Sequence, residues 1–98
     1  MVWITGQWDV AAGNDGGRQI HGVQAKVEGL LKAVGLGRSN LVHKSLVLQA
    51  AMPRKECETV EALSATQTPG GITTQTLRAA RLPGDAKVVV AAMALRPL

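Results

Sequence analysis

Val88-Val89-Val90-Ala91-Ala92-Met93-Ala94-Leu95 is apolar at every position. Its β-branched first half favours an extended strand, and without polar alternation both faces of that strand need cover. The run falls well short of the roughly 20 apolar residues that a membrane-spanning helix requires, and no longer apolar run occurs. Just before it, Leu82-Pro83-Gly84-Asp85 has turn chemistry, and residues 72–82 have a Thr-rich strand composition. These two strands are expected to pair as an antiparallel hairpin.

Working back towards the N-terminus, Thr68-Pro69-Gly70-Gly71 ends a helix that Pro53 opens as its first residue. Cys57, Val60 and Leu63 give that helix a narrow apolar face. Residues 41–48 form a strand of mixed polarity. Ile20, Val23, Val27, Leu30, Leu31 and Val34 recur at helical spacing, and Gly35 stops that helix. Gly22 and Gly29 share one of its faces and could permit close packing. The Gly, Asn and Asp residues of positions 11–17 form a turn, and residues 1–10 form a strand that bends at Gly6. The order β, α, β, α, β, β makes residues 1–98 a single α+β domain with two helices on one face of the sheet. Nothing else in a chain of 98 residues can cover the second face of residues 88–95, so another copy must. A homo-oligomer is expected.

Composition narrows the function classes. The chain is 46% hydrophobic, with two Trp and no Phe or Tyr, so its core rests on Val, Leu and Ala. Eleven Lys and Arg against seven Asp and Glu give a net charge of +4. The basic residues are scattered, however, and the only adjacent pair, Arg54-Lys55, runs into Glu56 and Glu58. Without clustering or aromatic platforms, nucleic-acid binding is not expected. The N-terminus has no basic flank or long apolar segment of the secretory kind, and the single Cys57 cannot form an internal disulfide. A reducing, cytoplasmic setting is the expectation.

No catalytic or metal motif stands out. Residues 13–17 lack the Gly-Lys-Ser/Thr ending of a phosphate loop. His21, His43 and Cys57 form no recognised ligand spacing, so neither a metal nor a cofactor is expected. Cys57 on the apolar side of a helix reads as core filling rather than as a nucleophile. His43 reads as a partly exposed histidine on the sheet, and Glu56, Glu58 and Glu61 as a solvated helix face.

Four segments taken in order resemble the RidA family, also called YjgF or L-PSP. They are Ile4-Thr5-Gly6-Gln7, then Leu30-Leu31-Lys32-Ala33-Val34-Gly35-Leu36, then Asn40-Leu41-Val42, and finally Ala80-Arg81-Leu82-Pro83-Gly84-Asp85-Ala86-Lys87 leading into the apolar strand. The resemblance covers almost the whole chain. It implies a chorismate-mutase-like α+β fold and a homotrimer with a small-molecule pocket at each subunit interface. The implied chemistry is hydrolysis of reactive enamines and imines, such as 2-aminoacrylate, to a keto acid and ammonia. Some relatives have been called translation-inhibiting endoribonucleases.

The sequence departs from that pattern where the chemistry lies. The family's carboxylate-clamping Arg falls at Thr74, its frequent Cys at Thr76, and its two Glu residues at Val89 and Ala91. Gly6, whose backbone N–H lies in the family pocket, is retained. Typical members also have a further strand before the Ile-Thr-Gly-Gln segment, which this sequence lacks. An Arg clamp makes charge-assisted hydrogen bonds of about 1.5–3 kcal/mol each, and a placed Glu accelerates proton transfer by about 10² to 10⁴. Their loss implies weakened or altered hydrolysis. The candidate ligand-binding residues are Gly6, Thr74, Thr76 and Arg78, the last three sharing one face of a strand by alternation. Arg78 is the one residue of the set that could replace the missing cation.

Overall fold

The computed structural model describes residues 1–9, 13, 15–66, 68, 70, 72–84 and 86–96. The elements are β1 (Val2–Gln7), α1 (Gly16–Ala33), a 3-10 turn (Arg38–Asn40), β2 (Leu41–Gln49), α2 (Arg54–Thr66), β3 (Thr73–Ala79) and β4 (Val88–Ala94). Val10, Ala11, Ala12, Asn14, Pro69, Gly71 and Asp85, which belong to the expected N-terminal strand and turns, lie outside the described residues.

α1 begins at Gly16, earlier than its apolar periodicity indicates, because the Asp15 carboxylate accepts a hydrogen bond from the Gly17 N–H at 2.8 Å. Ile20, Val23, Val27 and Leu31 are buried as their spacing requires, whereas Leu30 and Val34 lie on the exposed side. The helix ends in a Schellman motif. Gly35, at φ 79°, donates to Lys32 O at 3.0 Å, and Leu36 N donates to Leu31 O at 2.8 Å. α2 begins at Arg54 rather than at Pro53, whose carbonyl accepts from Cys57 N at 3.0 Å. Cys57, Val60 and Ser64 form its buried stripe, and Leu63 faces outward.

The strand order is β1-β4-β2-β3. The expected hairpin of β3 with β4 does not form. β2 lies between them, pairing parallel with β3 and antiparallel with β4. Two physical constraints override the local turn signal. α2 carries the chain back over the sheet, so β3 leaves in the same direction as β2, as a crossover helix dictates. β4, apolar on both faces, belongs in the interior with a neighbour on each side. Residues 80–87 are long enough to step sideways past β2, roughly 10 Å at the usual strand spacing.

Both helices cover one face of this sheet. Val88, Val90, Ala92 and Ala94 of β4 point into the core beneath them, together with Leu46 and Leu48 of β2. Gln19 is buried there but satisfied: its Nε2 donates to Gly13 O and its Oε1 accepts from Lys87 N, both at 2.7 Å. The other face carries Val89, Ala91 and Met93, flanked by Trp3, Val47 and Leu77. Within a single chain no described element covers it; Trp3 is 66% exposed and Leu77 46%. No helix is long and apolar enough to cross a membrane.

Candidate functional site

β3 is an edge strand, and its alternation sends Thr74 and Thr76 to the helix side of the sheet. They line a groove of about 380 Å³ between β3 and the C-terminal half of α2. Ser64 and Thr68 add hydroxyls to its wall, and Glu61 is the one charged side chain among its lining residues. Such a groove can orient a ligand through hydroxyl donors and acceptors, and no cation is among its described lining residues.

Arg78 shares that face yet does not line the groove. Its Nη1 donates to the Cys57 thiol at the start of α2, and its Nη2 donates to Ala50 O and Met52 O, both at 3.3 Å. Cys57, itself buried, donates in turn to Met52 O at 3.7 Å. The guanidinium thus ties β3 to the link between β2 and α2, and every partner in these bonds is neutral.

Gly6 lies on β1, at the opposite edge of the sheet. With β4 and β2 intervening, three strand spacings of roughly 4.8 Å separate it from β3. The register breaks between Ile4 and Gln7, and a Cβ added at Gly6 would come 2.9 Å from Cγ1 of Val89. One chain therefore brings Thr74 and Thr76 together, places Arg78 farther along the same strand, and leaves Gly6 on the far edge. Val89 and Ala91 face the uncovered side and carry no group able to transfer a proton. His43 lies on that side as well, half-buried, with Nε2 2.8 Å from Ser45 Oγ.

The residue that sequence reasoning missed is Lys44. It is 4% exposed, on the helix side of β2. Its ammonium donates to Gln24 Oε1 on α1 and to Thr68 Oγ1, the latter at 3.1 Å. Burial lowers its pKa from 10.5 to about 8; Arg38 nearby adds to that effect and Glu28 opposes it. A signal was present: Lys44 alternates with Leu46 and Leu48, which places it on the apolar face of the strand.

Elsewhere Glu56 does not stand in the solvated face assigned to it. It is partly buried and pairs with Lys87 at 3.0 Å, whereas Glu58 pairs with Arg54 on the surface at 3.2 Å. Among the described residues no group of three His, Cys, Asp or Glu side chains is placed to hold a metal ion.

No protein-family model matches the sequence, and no curated protein matches it. Solved structures do. A protein from Pseudomonas aeruginosa superimposes with a TM-score of 0.82 at 20% identity, covering 97% of this chain and 82% of that one. Escherichia coli TdcF, solved with bound serine, gives 0.81 at 21% identity over 97% of this chain and 80% of its own. A member of the YjgF family from Neisseria meningitidis gives 0.78 at 15% identity over 97% and 78%. The chain has the YjgF, chorismate-mutase-like fold, with its mixed sheet and two helices on one face.

Proposed function

We propose that this chain is a RidA-family (YjgF, L-PSP) protein, a single domain that assembles as a homotrimer in the cytoplasm and binds a small molecule in clefts between subunits. The observation that carries this reading is the separation of Gly6 from Thr74 and Thr76 on opposite edges of one sheet. A pocket that uses both needs the β1 edge of one copy beside the β3 edge of another. The uncovered face of β4 supports the same assembly, since joining copies there removes apolar surface from water at about 25 cal/mol per Å². The serine held by TdcF supports a small polar ligand.

Hydrolysis of enamines or imines is weak or altered in this reading. With Thr74 in place of the clamp and Val89 and Ala91 in place of the acids, a carboxylate-bearing substrate loses both its anchor and its proton donor. The Thr hydroxyls and the Gly6 N–H suit a carbonyl or amide group. Glu61, as the charged lining residue of the groove, favours a second version in which the protein hydrolyses a neutral imine that needs no cation.

Native mass and ammonia release test the two levels separately. A trimer that releases ammonia faster from a carboxylate-free imine than from 2-aminoacrylate fits the proposal. A monomer at micromolar concentration overturns it.

A further inference from the structure

We propose that Lys44, Gln24 and Arg38 form a site for one halide-sized monovalent anion between α1 and the sheet, adjoining the groove beside β3 at Thr68. A small cavity lies there, lined by Gln24, Glu28, Arg38, Lys44 and the apolar side chains of Val27 and Leu41, with room for about one water-sized sphere. Its chemistry is one-sided. A lysine ammonium has three N–H donors, and Gln24 Oε1 and Thr68 Oγ1 take only two of them. Because Gln24 spends its oxygen on Lys44, its Nε2 is a buried donor without a protein acceptor among the described residues. Gln24 is only 4% exposed.

Charge points the same way. Glu28 and Arg38 form an ion pair of 2.6 Å at the half-exposed mouth and offset each other. Among the described residues no carboxylate forms a salt bridge with Lys44, and the nearest acid in the lining, Glu28, is engaged by Arg38. A buried charge is costly to leave unpaired, and the Lys44 and Gln24 N–H donors at the inner end, with the Glu28 carboxylate held by Arg38 at the mouth, suit an occupant that accepts hydrogen bonds.

The facing groups also set the pH range. Glu28 on α1 and Arg38 on the 3-10 turn are the titratable lining groups, β4 contributes Ala92, and Thr68, just beyond α2, does not titrate. Binding should weaken once the Lys44 amine loses its proton, above about pH 8.

The test uses the full chain. Crystals soaked in sodium bromide should give an anomalous peak between Lys44 and Gln24. Raising chloride from 10 to 300 mM at pH 6.5, with sodium gluconate keeping ionic strength constant, should raise Tm by about 4 °C or more. Gln24→Met, close in shape, should abolish both signals, as should Lys44→Met if it folds. An ordered water without a bromide peak overturns the proposal. So does a peak with no chloride-dependent Tm, which would mean binding at crystal concentration only.

Discussion

Gly6 and Val89 meet across the β1–β4 pair so closely that a side chain at Gly6 would lie 2.9 Å from Val89 Cγ1. The register of β1 against β4 shifts here, and the missing Cβ leaves room for the Val89 side chain. Gly6→Ala should therefore cost about 1–3 kcal/mol as overpacking. Val89→Ala in the same chain should recover much of that loss, because it removes the methyl that clashes. Urea unfolding of the two single variants and the double variant measures the coupling; simple additivity would show that the contact is not the cause.

The end of α1 gives a second stability prediction. Gly35 holds φ 79° while its N–H and that of Leu36 close the last turn. Gly35→Ala should destabilise by about 1 kcal/mol through left-handed strain alone, with the helical circular dichroism retained. An unchanged midpoint would mean that the turn adopts another conformation.

These two sites also mark how far the sequence could be read. Gly35 was legible because a helix stop is local: the apolar period ends and a glycine follows. The face made by Ile20, Val23, Val27 and Leu31 was legible for the same reason. The partners of β3 were not. Leu82-Pro83-Gly84 signals a reversal of the chain, and a reversal suggests pairing with the preceding strand. Insertion of β2 between β3 and β4 depends instead on α2 returning over the sheet, which no local residue encodes. The candidate site was legible only as three positions on one strand, with Gly6 on another. That Thr74 and Thr76 line a groove while Arg78 turns to Cys57 depends on where α2 ends, and that Gly6 lies at the other edge depends on the strand order.

Neighbouring residues of β4 should respond in opposite ways to the same substitution. Ala92 faces the core at 3% exposure, so Ala92→Lys should unfold the chain or cost more than about 3 kcal/mol. Ala91 faces the uncovered side, so Ala91→Lys should leave the single chain folded but, if copies join there as proposed, reduce its native mass from trimer to monomer. Light scattering with circular dichroism distinguishes them. A folded trimer carrying Ala91→Lys would exclude this face from the interface.

Lys44 predicts an unusual pH dependence. Its folded pKa of about 8 lies below its ordinary 10.5, so between these values the unfolded chain holds more protons than the folded one. Stability in halide-free buffer should therefore rise with pH from about 8 to 10.5, by up to about 1.4 kcal/mol per pH unit. The gain is absent below pH 8, where both states are charged. Lys44→Met should remove this rise and stabilise the chain at neutral pH. Parallel unfolding curves for the two proteins across that range would show that Lys44 keeps an ordinary pKa.

The last prediction concerns the proposed chemistry. If enamine hydrolysis is weak because a cation and an acid are missing, restoring both should raise it. Thr74→Arg adds a guanidinium in the groove at the β3 edge, and Val89→Glu adds a carboxylate beside Gly6 at the β1 edge. Thr74 is on the edge strand β3 and Val89 on the interior strand β4, on opposite faces of one sheet, so they can cooperate only between neighbouring copies. The double variant, checked to have the wild-type native mass, should release ammonia from 2-aminoacrylate at least about 100-fold faster, the lower end of what a placed acid contributes. Each single change should achieve far less, because substrate anchoring and proton transfer act on the same bound molecule. A further mixing experiment isolates the role of the interface. Thr74→Arg chains combined with Val89→Glu chains should regain activity in mixed trimers, since the cleft draws one residue from each copy. Activity in the double variant without complementation in mixed trimers would place both groups in one chain and remove the interfacial cleft from the mechanism.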